Sequence, residues 1–353
     1  MCLYHHSKII GSEHTADKRA HRRLGFSLIE LLLSLSLSLL IIGAAFEWYQ
    51  ILKKVNRDAK EKRQTLEIGR TALQFLMNDV KQSGYYGCRT MDENFAVQIH
   101  LNQYISPYRF FKKEAAVSGF VATQGKCVRQ LPASACDRIK EMSDVLVIYN
   151  IPQKISALKK DMGQPTEVIQ TVFPTAIRRG SVVLIADCLQ GDLFVANEVE
   201  GDRIYHGKTA ETNLRSDFSK AYQRHAEIIE LASVAYYLGV PTRSRKDSVS
   251  YSLFRDDLWH EAEEMMEGVV DFQVEYGVFR VSQGSRYLRA EFIRESEWQF
   301  VQSIRLVLLT ENKEHWEYEF AVRNRRRVNS DVNRHDGGFS FNRSRDDTRD
   351  IDS

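Results

Sequence analysis

Arg22-Arg23-Leu24-Gly25-Phe26-Ser27-Leu28-Ile29-Glu30, running into Leu31-Leu32-Leu33-Ser34-Leu35-Ser36-Leu37-Ser38-Leu39-Leu40-Ile41-Ile42-Gly43-Ala44-Ala45-Phe46, is the stretch from which the rest of the chain is read. Phe26 to Phe46 are 21 residues with a single charge, Glu30. As a helix rising 1.5 Å per residue they span about 32 Å, the hydrocarbon thickness of a bilayer. A basic cluster precedes the run, and a residue without a side chain, Gly25, separates the two. Glu30 is the anomaly. A carboxylate at the centre of a membrane helix costs about 2.5–3.5 kcal/mol, less near the interface, so it calls for a partner.

The formal charge of the 353-residue chain is +2, and it is unevenly spread. Residues 1–25 carry Lys8, Lys18, Arg19, Arg22 and Arg23 against Glu13 and Asp17, a local +3 that leaves −1 for the remainder. Positive charge before the apolar run keeps the N-terminus cytoplasmic and sends everything after Phe46 across the membrane. The cysteines agree with this orientation. Cys2 precedes the run, while Cys88, Cys127, Cys136 and Cys188 lie beyond it. In an oxidising compartment those four suggest two disulfides, with three connectivities open; four buried thiols are the alternative. A secretory signal would place its small-residue cleavage site after the apolar run and would have a shorter run. A plain signal anchor leaves Glu30 unexplained.

No proline or turn cluster interrupts a helical pattern from Phe26 to about Ser83. Leu66, Gly69, Leu73, Leu76 and Val80 recur at spacings of three and four, one stripe of an amphipathic helix, with Lys60, Lys62, Arg63, Arg70 and Lys81 opposite. Ser83-Gly84 supplies the stop. Beyond it the composition, 43% hydrophobic and 27% charged, is that of a folded body. Short β-branched or alternating runs predict strands at 145–149, 182–186, 193–196, 227–240, 248–254, 271–277, 303–309 and 316–322. The fold class is therefore α+β, a long helix whose amphipathic half packs on a largely antiparallel β head. Residues 91–140, with Tyr104, Tyr108 and Phe110, read as loops and a strand pair. The organisation expected is a segment 1–25, a helix 26–83 crossing the membrane at 26–46, a head 84–327 and a disordered tail 328–353 too polar to offset its ordering entropy.

Few residues beyond the helix suggest chemistry. His260-Glu261-Ala262-Glu263-Glu264 lacks the second histidine of a zinc-binding HExxH, so it reads as the solvated face of a short helix leading to Gly268. Arg323-Asn324-Arg325-Arg326-Arg327 could meet nucleic acid phosphates, although a basic patch at a strand end is the commoner case. Ser34 and Ser38 share a helix face and could admit a neighbouring helix, or they bond back to their own helix carbonyls. No Ser/His/Asp, Walker or dinucleotide pattern stands out; no enzyme, cofactor or metal is expected.

The stretch around Gly25 resembles the processing site of type IV prepilins. Gly25-Phe26 matches their cleavage point and Glu30 falls at the fifth residue of the processed chain. The resemblance implies that a prepilin peptidase cuts after Gly25, where the bare backbone enters a tight site, and that the freed Phe26 ammonium is methylated. It also implies that Glu30 meets the Phe26 ammonium of a neighbouring subunit and so sets axial register. Further segments resemble the PilW group of minor pilins: Arg70 to Cys88, Ser143 to Ile148, Ala186-Asp187-Cys188, Glu267 to Gly277, Val301 to Leu309 and Phe320 to Arg325. The partners implied are the prepilin peptidase, other minor pilins, the major pilin and the inner membrane, with a role in priming pilus assembly and at the filament tip. A type II secretion pseudopilin would share the N-terminal features. A membrane-anchored receptor or DNA-binding adhesin differs in predicting that Glu30 is dispensable.

Overall fold

The computed structural model describes residues 27–87, 96–104, 111, 115–123, 131, 133–242, 251–257, 261–280 and 284–322. Residues 1–25, Phe26, Cys88, Cys127, Tyr108, Phe110, His260, Arg323 to Arg327 and the tail 328–353 lie outside the described residues. The chain divides into two compact units, 1–64 and 65–353.

One helix, α1 (Leu28–Gln82), runs through the amphipathic pattern without a break. In the first unit every described residue from Ser27 to Gln64 is exposed. Its apolar run makes α1 the one described helix long and apolar enough to cross a membrane. The serine hydroxyls are turned inward: Ser34 donates to the Leu31 carbonyl, Ser36 to that of Leu33 and Ser38 to that of Ser34. This is the back-bonding alternative, in which a hydroxyl satisfies itself within its own helix.

In the second unit the end of α1 meets a mostly antiparallel sheet, as α+β patterning predicts. Eleven described strands belong to this sheet. Its spine is β9 (Glu227–Gly239), the predicted 227–240 strand, buried along nearly all of its length. Strand β3 (Asp144–Ala157) pairs along one side of β9, and β2 (Val117–Val121) pairs with β3. On the other side, β5 (Val182–Ala186) takes the first half of β9 and β10 (Tyr251–Asp256) takes the second. The sheet continues from β10 through β11 (Glu263–Arg280) and β13 (Val301–Thr310) to β14 (His315–Ala321), with β12 (Gly284–Arg289) also on β11. Alternation is clearest in β13, where Ile304, Leu306 and Leu308 enter the core and Ser303, Arg305 and Val307 are only partly buried.

Two expectations are corrected. Residues 96–99 and 117–121 do form strands, but not a pair. β1 (Ala96–Ile99) lies parallel to β6 (Gln190–Val195), whereas β2 joins β3. Glu263 and Glu264 are not helical: they open β11, because Glu264 sits opposite Phe254 and accepts from Ser252 Oγ at 2.6 Å and the Thr242 amide at 3.2 Å. A small second sheet of β4 (Ile169–Gln170), β8 (Arg203–Tyr205) and β7 (Glu198–Glu200) was not foreseen, its strands being too short for a period to register.

Candidate functional site: the seat of the helix

The helix begins at a reciprocal cap. Ser27 Oγ accepts from the Ile29 amide at 3.4 Å, and the Glu30 carboxylate accepts from the Ser27 amide at 3.2 Å. This is a variant of the Ser-x-x-Glu capping box, with Ser27 reaching the second helical amide rather than the third, and it satisfies two amides that no helical carbonyl can reach. The motif is legible in Ser27-Leu28-Ile29-Glu30, yet the membrane reading of Glu30 overlooked it. The carboxylate is thereby aimed back toward the N-terminal end of the helix.

Within the second unit, Gly69, Ala72, Leu73, Leu76, Asp79 and Val80 are the buried positions of α1. They match the predicted stripe, with Leu66 half-buried at its margin. Leu73, Leu76 and Val80 enter the same core as Val145, Tyr236, Phe272 and Leu306. Each such side chain contributes about 1.5–3 kcal/mol by leaving water. Three further features hold the helix in one place.

Gly69 is a notch for Trp316 of β14. A Cβ built on Gly69 would stand 1.8 Å from the Trp316 ring, so the indole rests directly on helix backbone. Gly69→Ala should therefore lower stability. Overpacking costs about 1–3 kcal/mol, against about 1 kcal/mol gained in helix propensity. Thermal melting of the detergent-extracted protein checks this: the midpoint should fall for Gly69→Ala and recover when Trp316→Leu is added.

Asp79 is an acid on the buried face. Its Oδ2 accepts from Tyr236 Oη at 2.7 Å and from Arg255 Nε at 2.9 Å. Burial alone would lower the guanidinium of Arg255, but the hydrogen bond and charge of Asp79 raise it above its ordinary value. Burial, together with the charge of Asp79, raises the Tyr236 phenol. One helical carboxylate thus locks β9 and β10 to α1.

The third feature is a bulge. β3 departs from β9 register between Ile148 and Ile151, and Asn150 adopts φ 54° there. The displaced carbonyls of Tyr149 and Asn150 accept the amides of Gly84 at 2.8 Å and Tyr85 at 3.1 Å. Gly84, at φ 64°, provides the left-handed turn that brings those amides round. The predicted Ser83-Gly84 stop is therefore also a docking point.

Residues 235–336 match the model of the family described as Type IV Pilus-assembly protein W, PilW. The C-terminal region of the chain carries a PilW domain. Tyr236, Arg255 and Trp316, three sheet residues that hold the helix, all fall inside the PilW match. So do the segments 267–277, 301–309 and 320–325. Comparisons with curated proteins and with solved structures found no match.

Of the residues singled out from sequence, Glu30 lies on the helix and Gly25 and Phe26 lie outside the described residues. Cys136 and Cys188 lie among the described residues, while Cys88 and Cys127 fall outside them. Sequence reasoning missed Asp79, Trp316 and Asn150. The available signal was Asp79 itself, a charge at the register of an apolar stripe.

Proposed function

We propose that this chain is a minor pilin of a bacterial type IV pilus, anchored in the inner membrane by residues 26–46 with its head in the periplasm. Prepilin peptidase cuts after Gly25, Phe26 is methylated, and the mature subunit joins other minor pilins to prime assembly at the filament tip. The observation that carries this reading is the PilW match, which falls on the part of the sheet that grips the helix. It is supported by an N-terminal helix that is apolar and exposed throughout its first half. The work done is physical. Apolar helix faces associate, and the Glu30 carboxylate finds the Phe26 ammonium of a neighbour, any other stagger leaving a charge unpaired in a medium of low dielectric. In the oxidising periplasm Cys88, Cys127, Cys136 and Cys188 form two disulfides.

N-terminal mass spectrometry of the membrane-extracted protein tests the proposal. The expected product begins at Phe26 with a methylated amine. Retention of residues 1–25 in cells that assemble pili and need this protein would overturn it.

A further inference from the structure

Beside the helix seat, the head contains a second buried polar group with no part in assembly as proposed. Its hub is Asp192 of β6, fully buried. His100, just after β1, reaches Asp192 Oδ1 through Nε2 at 2.6 Å. Ser219 approaches both carboxylate oxygens through its amide, at 3.1 and 3.2 Å, and donates its hydroxyl to Oδ2 at 2.5 Å. Tyr222 Oη donates to Oδ2 at 2.5 Å. Four donor groups converge on one carboxylate, which must be ionised to accept them. Burial would raise the Asp192 carboxyl, but the bonds from His100, Ser219 and Tyr222 outweigh it and hold it below its ordinary value.

A second imidazole lies close by without a carboxylate of its own. His206, just after β8, is buried, and its Nε2 donates to the Glu167 carbonyl at 2.9 Å. Its ring stacks on Phe218 at 3.9 Å and meets Phe194 edge-on at 5.6 Å. Phe218 also meets His100 edge-to-face at 5.9 Å, so the two histidines share one phenyl ring. The other charges on the packed segments are engaged elsewhere. Glu167 accepts from Lys160 and the Gly163 amide, and Asp187 pairs with Lys220. Lys208, Arg215 and Asp217 are exposed.

We propose that this group is an acid-sensitive clasp, which holds the segment 206–222 on β6 and β1 at neutral pH and releases it when His206 takes a second proton. The segment has no helix; backbone hydrogen bonds tie it to His100, Asn102, Met162 and Pro165, Lys220 pairs with Asp187, and its buried side-chain attachments run through Asp192, His206, Phe218 and Asn213. The last of these binds the Val195 amide and carbonyl through its side chain. An imidazolium at His206 finds the Asp192 carboxylate already saturated by His100, Ser219 and Tyr222. The direction follows from linkage. Burial holds His206 below its ordinary 6.5, so the open state binds the proton more readily than the closed one. The closed state's advantage is present above 6.5 and is lost as pH falls below that value toward the lowered one. This device does not depend on the pilus reading.

Hydrogen exchange of the full-length protein in detergent, corrected for the intrinsic pH dependence of amide chemistry, tests the clasp. Between pH of about 7.5 and about 5, exchange in 206–222 should accelerate about tenfold or more, while β9 stays unchanged as the internal reference. His206→Phe keeps the stack and cannot take a proton; it should remain protected at both pH values. His206→Gln, which retains a donor for the Glu167 carbonyl, should behave likewise and serves if the phenylalanine variant fails to fold. Equal protection of the native protein at both pH values would overturn the proposal, and so would acceleration of the same size in the folded variant.

Discussion

Glu30→Ala is expected to deplete this chain from sheared pili by about a hundredfold or more, while the head keeps its native melting temperature. Removing one partner of a buried ion pair costs about 3–5 kcal/mol, and about 1.4 kcal/mol is a factor of ten. The competing account is local. Glu30 accepts the Ser27 amide, and loss of a helix cap costs about 1 kcal/mol, less than tenfold. Glu30→Gln separates the two. Glutamine serves a capping box as glutamate does, so a capping role predicts near-normal incorporation. A charge-pairing role predicts that glutamine is nearly as damaging as alanine. Immunoblots of the sheared fraction against the membrane fraction read the difference, and a glutamine variant that incorporates normally would end the charge-pairing account.

Asp79→Ala is expected to be among the most destabilising single substitutions in the head. It leaves the Arg255 guanidinium, which is 17% exposed, with only the long 3.8 Å pairing to exposed Glu263 among the described residues, and leaves Tyr236 Oη without its acceptor. Because Arg255 retains some access to water, the lower end of the range applies, about 3 kcal/mol. For a body of this size that is a fall in melting temperature of about 6–12 °C. The pairing also predicts a rescue. The double variant Asp79→Leu, Arg255→Met removes both charges, and buried pairs replaced by apolar residues of similar volume are often neutral or better. Calorimetry on the detergent-extracted protein would show the double variant melting above Asp79→Ala. If the two melt alike, the pair is not what holds α1 to β9 and β10.

The fold was legible where one physical rule governs a long segment. The three-and-four spacing of Leu66, Gly69, Leu73, Leu76 and Val80 forces one helix face inward, and that face is buried. The runs at 182–186, 227–240 and 303–309 emerged as strands because burial on one or both faces leaves a period that can be counted. The rule failed at Glu263-Glu264, where carboxylates mimicked a solvated helix while cross-strand partners on β10 held them extended. It also gave no access to the pairing of β1 with β6, since a parallel neighbour is chosen by the connections and not by four residues of pattern.

What the sequence determined by itself is the division into an apolar run with one acid, an amphipathic continuation and an α+β head. Each follows from local periodicity, length and charge, which need no knowledge of neighbours. What only the tertiary structure decided is how the helix is held: Trp316 on Gly69, Asp79 between Tyr236 and Arg255, and the Asn150 bulge beneath Gly84. The acid-sensitive group belongs here too, for His100 and Asp192 are 92 residues apart and meet only because β1 lies beside β6. Contacts of that range depend on which strands become neighbours, and a linear pattern carries no record of that choice.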